Sequence, residues 1–147
     1  MLLADEIRRA KRVYLIGNGG SAANAIHIAN DLVSVGVRAH PLAADIATVT
    51  AIANDFGYEK IFCRQVSVFG EAGDLLIALS GSGRSLNICE ALKTGKKIGM
   101  RTVAIFGNFS DIDEGCADIV MRDGHSMQEA EEIQIEIGHE LMRNLRA

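Results

Sequence analysis

Short apolar runs alternate along the chain with stretches of helical spacing. Five runs, RVYLI (12–16), VRAHPL (37–42), DLLIALS (74–80), RTVAIF (101–106) and ADIVMR (117–122), are rich in branched residues, bounded by turn formers, and read as strands. Near 21–35, 45–53, 57–69, 85–99 and 126–146 the apolar positions recur with the helical period. Apolar strands separated by helices need cover on both faces, which predicts a doubly wound α/β domain around a parallel sheet. Gly36, Gly70 and Gly99 close three of the helical segments, where a left-handed cap is expected. Ligands of such folds sit beyond the carboxyl ends of the strands.

Composition narrows the picture. With 147 residues, 48% hydrophobic and 23% charged, and no repeat or Pro/Gly/Ser-rich linker, the chain reads as one continuous domain over 1–147. Its net charge of −4, with the cations dispersed, gives no basic stripe for nucleic acid. Cys63, Cys89 and Cys116 are odd in number and lack CxxC spacing, which fits a reducing compartment and buried small side chains, not a cysteine-built zinc site. No apolar run reaches the ~18–20 residues of a membrane span, and MLLADEIRRAKR is too charged for a signal peptide. A cytoplasmic protein without a membrane partner is the expectation.

Two loops carry candidate chemistry. The first strand runs into Gly17-Asn18-Gly19-Gly20-Ser21 and directly into a helix, so the backbone turns sharply and offers helix N-terminal amides to an anion. Gly17, Gly19 and Ala22 also fit a dinucleotide pattern, but the end of the second strand offers Arg38 and His40 where a ribose would need a carboxylate, and Asp45 comes late. The second loop, Ser80-Gly81-Ser82-Gly83-Arg84-Ser85, places three hydroxyls and two glycines before a helix, a combination suited to a phosphate monoester. Helix capping would explain Ser85 alone. Arg84 is placed to touch the same phosphate.

The segments IGNGGSAANAIHIANDL, TAIANDFGYEKIFCRQV, EAGDLLIALSGSGRSLNI and AEEIQIEIGHELM, in that order, resemble the sugar isomerase (SIS) domain, and within it the phosphoheptose isomerases. The resemblance implies a five-stranded parallel sheet, isomerisation of sedoheptulose 7-phosphate to the manno-heptose 7-phosphate, often a bound zinc, and homo-oligomers, usually tetramers, with sites at subunit contacts. It assigns phosphate to Ser80, Ser82 and Ser85, the sugar side to Asn18 and Ser21 beside Gly19 and Gly20, and a substrate contact to Asp55. His27 and His139 match positions for metal ligation and proton transfer. Family members carry more residues before the first strand, so a shortened N-terminal helix is expected. The chain departs from the pattern where a glutamate becomes Asp31, a glutamine becomes Glu131, a threonine becomes Gly81 and an aspartate becomes Gln128.

His27 and Asp31 are four apart, on one helix face near Asn24 and the glycine turn, and suit a divalent cation. A helix-face ion pair is the plainer alternative. Glu131 and His139 complete the implied metal set, yet eight helical residues rise about 12 Å. Long side chains, a bend at Gly138 or a second protomer would have to reconcile them. Ile133, Ile137, Leu141 and Leu145 form a stripe expected to pack on the sheet or on a neighbour. In an aldose–ketose isomerisation Asp31 would be the base and His139 the partner acid/base.

His40 is expected to be structural, His125 is a loop histidine able to approach the pocket, and Lys60 and Arg64 read as solvated charges or contacts to a neighbour. The rival reading is a non-catalytic SIS-domain protein that binds a sugar phosphate or scaffolds a partner, as in the similar replication-initiator-associating protein. His139 favours the enzyme, whereas Asp31 and Gln128 favour the rival. A sugar-phosphate-sensing regulator would carry a DNA-binding module, which these residues do not contain.

Overall fold

The computed structural model describes residues 1–109 and 111–146. In chain order the elements are α1 (Leu2–Arg9), β1 (Val13–Ile16), α2 (Gly20–Ser34), β2 (Ala39–Pro41), α3 (Ile46–Phe56), α4 (Cys63–Phe69), β3 (Leu75–Ser80), α5 (Leu86–Ile98), β4 (Arg101–Phe106), β5 (Ile119–Arg122) and α6 (Met127–Leu145). Single 3₁₀ turns occupy Tyr58–Lys60 and Glu114–Cys116. All five strands are parallel, in the order β2-β1-β3-β4-β5, so the α/β fold class and the five-stranded sheet read from the sequence hold.

Alternation within each strand builds two cores. Val13, Leu15, Ile77 and Leu79 face α1, α2 and α6, where Leu3, Ile7, Ile28, Leu32 and Leu141 close the layer. Tyr14, Ile16, Leu76 and Ala78 face the other way, onto Phe62, Val66, Ile88 and Leu92 of the α4 and α5 side. Successive strand side chains point to opposite faces, which is why a strand apolar at every position is buried on both.

Three details differ from expectation. The helix read over 57–69 is interrupted: Gly57 takes φ +100°, and Ile61 and Phe62 turn fully inward between the 3₁₀ turn and α4. Gly36 and Gly99 do have positive φ, but Gly70 is extended at φ −72°. A side chain at Gly70 would meet the Met100 sulfur and the Val66 carbonyl, so contact with its neighbours is what requires glycine there. Lastly, the buried positions of α6 are Ala130, Gln134, Gly138 and Leu141; of the expected stripe, Leu141 joins the core and Ile137 and Leu145 pack against it half-buried. Small residues let α2 approach, and Ile133 and Ile137 are left half-buried beside Met121.

The chain order reverses between β1 and β3. The segments that follow these two neighbouring strands leave in different directions and open a crevice at their carboxyl ends. Both glycine-rich loops begin there.

Candidate functional site

Beyond β1, Gly19 caps α2 with φ +54°, a conformation open to glycine. A side chain on Gly17 would meet the Ser21 backbone at 2.6 Å, so the turn is as tight as its composition allows. Beyond β3, the Ser80 hydroxyl accepts the Gly83 N–H (3.0 Å) and the Ser82 hydroxyl accepts the Arg84 N–H (3.2 Å), which curls the loop over the start of α5. Ser85 occupies the N-cap position but makes no side-chain cap bond. Capping therefore does not account for Ser85.

The two loops line one cavity of about 260 Å³, formed by Asn18, Gly19, Gly20, Ser21, Ser80, Gly81, Ser82 and Ser85, with Met127 and Glu131 of α6 closing the side. Its lining includes no lysine, arginine or histidine among the described residues. Hydroxyls and helix N-terminal amides, groups suited to an anion, are thus what it offers a ligand. Asn18 is fixed by a reciprocal amide pair with buried Asn87 (2.8 and 2.9 Å) and by the Tyr58 hydroxyl (2.8 Å). That arrangement holds the first loop against α5 and the 3₁₀ turn.

Along α2, His27 and Asp31 meet His139 of α6. His27 Nε2 lies 3.2 Å from Asp31 Oδ2 and 3.2 Å from His139 Nε2, and His139 Nε2 is 3.8 Å from Asp31 Oδ2. Asp31 Oδ2 is buried and has no hydrogen-bond partner among the described residues. Two imidazole nitrogens and an orphaned carboxylate oxygen, all within 4.8 Å of one another, make a donor set that fits a divalent cation. The seam between the helices is tight enough for this because Gly138 packs on Ile28, where a Cβ would stand 2.5 Å from Cγ1.

Several sequence expectations change position. Glu131 does not join the trio: eight residues along an unbroken α6 separate it from His139, and its carboxylate lies against Gly20 in the cavity wall. Seven residues separate His27 from Gly20, about 10 Å of helix, so the trio lies down the α2–α6 seam from the glycine turn and not beside it. Arg84 points away, its Nε donating to the Asp111 carbonyl at 3.0 Å. Asp55 is exposed on α3 in a separate groove with Phe56, Arg64 and Val68, so one chain does not bring it to the serines. Gln128 is exposed on the first turn of α6.

Other polar residues have local partners. His40 stacks on Tyr14 (5.8 Å between rings), Lys60 pairs with Glu90 (3.5 Å), and Arg64 lies over the Phe56 ring (3.6 Å). His125 donates its N–H to Glu129 at the start of α6. Burial pushes the thiols of Cys63, Cys89 and Cys116 up, away from the thiolate form a nucleophile needs.

The SIS domain family matches residues 1–107, in which both loops and two of the trio, His27 and Asp31, lie. The chain belongs to the SIS domain family. This SIS domain is 38% identical, over 94% of its length and 71% of the relative's, to a phosphoheptose isomerase of Chlorobaculum parvum. It is similar in structure to the phosphoheptose isomerase of Neisseria gonorrhoeae, with a TM-score of 0.88, 29% identity, and coverage of 98% of this chain and 80% of that one. A phosphoheptose isomerase from Francisella tularensis superposes with a TM-score of 0.85 at 28% identity, over 97% of this chain and 82% of its own.

Asn87, Tyr58, Met127 and Gln134 were not anticipated as parts of the site. A polar residue in the middle of a helical stripe, as Gln134 is between Ala130 and Gly138, is the one signal that could have drawn attention to any of them.

Proposed function

We propose that this SIS domain, taken as one unit over 1–147, is a phosphosugar aldose–ketose isomerase that converts sedoheptulose 7-phosphate to D-glycero-D-manno-heptose 7-phosphate. The observation that carries the reading is the α2–α6 pair. At its top it borders a serine-lined anion cavity, and about two turns lower it holds His27, Asp31 and His139. A phosphorylated sugar chain seated by its phosphate at Ser80, Ser82 and Ser85 extends along this seam toward the trio. Relatives named phosphoheptose isomerase, similar over most of the chain, favour the same substrate.

The phosphate supplies binding energy remote from the reacting carbons and so positions C1 and C2. Asp31 takes the carbon-bound proton, and His139, 3.8 Å from it, moves protons at the sugar oxygens. A divalent cation, zinc on the chemistry of the donors, would be held by His27, Asp31 and His139 and would polarise the sugar carbonyl. Glycine-turn amides and Asn18 orient the hydroxyls near the cavity mouth.

We also infer a homo-oligomer, dimer or tetramer, acting in the cytoplasm. α3 buries none of its residues, and Ile46, Phe56, Val68 and Phe69 are all exposed on it and on neighbouring α4. An apolar helix in that state calls for cover by a second copy, which would also bring Asp55 and Arg64 to a subunit contact. No helix is long and apolar enough to cross a membrane among the described residues.

One observation favours the rival, a non-catalytic sugar-phosphate binder or scaffold: Glu131 adds a carboxylate to a cavity without a cationic side chain. Incubation of the purified protein with sedoheptulose 7-phosphate and zinc, followed by chromatography of the sugar phosphates, separates the two. The isomerase yields an aldose phosphate; the rival returns the ketose unchanged.

A further inference from the structure

The polar atoms between α2 and α6 have a fixed donor–acceptor order. Asn24 Nδ2 lies 3.0 Å from the Glu131 main-chain carbonyl oxygen. That oxygen only accepts, so the atom facing it is the amide nitrogen whichever way the side chain is drawn. The same nitrogen lies 2.8 Å from Gln134, which must therefore present its oxygen to Asn24. Its own nitrogen is then left to face Ser21 Oγ at 3.1 Å, as a donor. Gln134 and Ser21 are both buried, at 1% and 4% exposure, so water does not compete for these bonds.

The last link has a chemical consequence. A serine hydroxyl holds one proton and two lone pairs. Since Gln134 uses a lone pair, the Ser21 proton is not drawn back into the helix pair, and among the described residues it has no acceptor. Ser21 lines the anion cavity. Its proton is therefore available to donate there.

We propose that Gln134 is a positioning residue which, through Asn24 and the Glu131 carbonyl, forces Ser21 to act as a hydrogen-bond donor to an acceptor oxygen of the sugar phosphate. The inference rests on the sugar-phosphate reading of the cavity, but not on catalysis. It gives Ser21 a preference: with one lone pair taken by Gln134, its proton is free for a carbonyl, hydroxyl or ring oxygen of the sugar. It also ties the α6 register to the cavity, because Glu131 and Gln134, which with Asn24 set the Ser21 proton, lie on the helix that carries His139.

The test is a double-mutant cycle between Ser21 and Gln134, read by calorimetric binding of sedoheptulose 7-phosphate and, separately, of inorganic phosphate, at fixed zinc concentration. Gln134→Glu is nearly isosteric and reverses the last link, since a carboxylate takes the Ser21 proton. Gln134→Met removes the link and serves in the same cycle if the glutamate variant does not fold. For the sugar phosphate, Ser21→Ala and Gln134→Glu should each weaken binding about tenfold, Gln134→Met less, and either Gln134 change should add nothing in the Ser21→Ala background. Inorganic phosphate, held by Ser80, Ser82 and Ser85, should keep its affinity throughout.

Additive losses, an unaltered Gln134→Glu protein, or an equal fall in inorganic phosphate affinity would each overturn the proposal, the last by reducing Gln134 to scaffolding. A wild-type chain that binds the sugar phosphate without converting it removes the isomerase and leaves this inference standing. One that binds phosphate alone overturns both.

Discussion

The Nε2 atoms of His27 and His139 stand 3.2 Å apart although 112 residues separate them in the chain. They meet because α2 and α6 pack side by side, and this packing depends on Gly138 against Ile28. Replacing Gly138 by alanine forces a methyl group into Ile28. The variant should lose about 1–3 kcal/mol of stability. It should also bind zinc or cobalt at least tenfold more weakly, because the histidines are pushed apart. Thermal unfolding with and without metal checks both: wild type should gain more in Tm from the metal than Gly138→Ala does.

Asp31 is the carboxylate of the trio, and its buried Oδ2 is the atom both histidines face. Asp31→Asn keeps shape and removes the charge. Metal affinity should fall by about tenfold or more, with phosphate binding at the serines unchanged. Isothermal titration with each ligand reads the two effects apart.

Ser85 stands at the head of α5 without capping it. Ser85→Ala should therefore leave stability within about 0.5 kcal/mol of wild type. Phosphate affinity should still drop about tenfold. Chemical denaturation and phosphate titration of the same preparation decide it. A large stability loss would show that the hydroxyl acts as a cap.

Gly81 lies beneath the Met127 sulfur, which occupies the space a Cβ would take. Gly81→Ala should displace Met127 and narrow the cavity mouth, lowering sugar phosphate affinity several-fold. Met127→Ala in the same chain should restore most of it, since the two side chains contest one volume.

Acid sensitivity should be traceable to Asp118. Burial alone would raise its carboxyl pKa, but the Thr102 N–H and hydroxyl and the Arg101 guanidinium outweigh this and hold it below the ordinary carboxylate value. A lowered folded pKa means that the contribution is complete above the unfolded value, about 4, and is lost as pH falls through the folded one. Asp118→Asn should flatten that part of the stability profile, measured by denaturation from pH 6 to about pH 2.

Much of the fold was legible because the inner strands β1 and β3 are apolar and buried on both faces and each glycine-rich loop has its own turn chemistry. RTVAIF (101–106) maps onto β4 residue for residue, and the serine loop stands where its composition placed it. What was not legible depends on which elements pack together. Periodicity marks the larger Ile137, Leu141 and Leu145, which do pack on the core, but it passes over Ala130, Gln134 and Gly138, which the close α2 contact buries. Glu131 and His139 both looked like ligands of one ion, and only the unbroken helix shows that one belongs to the cavity and the other to the trio. Asp55 illustrates a third limit, since it is exposed in an outward-facing groove, apart from the serines with which the resemblance grouped it.

The central claim is that a sugar phosphate held at the serine loop undergoes proton exchange at the trio. Proton NMR of sedoheptulose 7-phosphate in D₂O, with purified protein and zinc, and again with a chelator, tests it directly. The account predicts deuterium entering C1 and a new aldose signal with zinc, both suppressed by the chelator and by His139→Ala. Ketose resonances that broaden on binding, yet take up no deuterium in either condition, would contradict it.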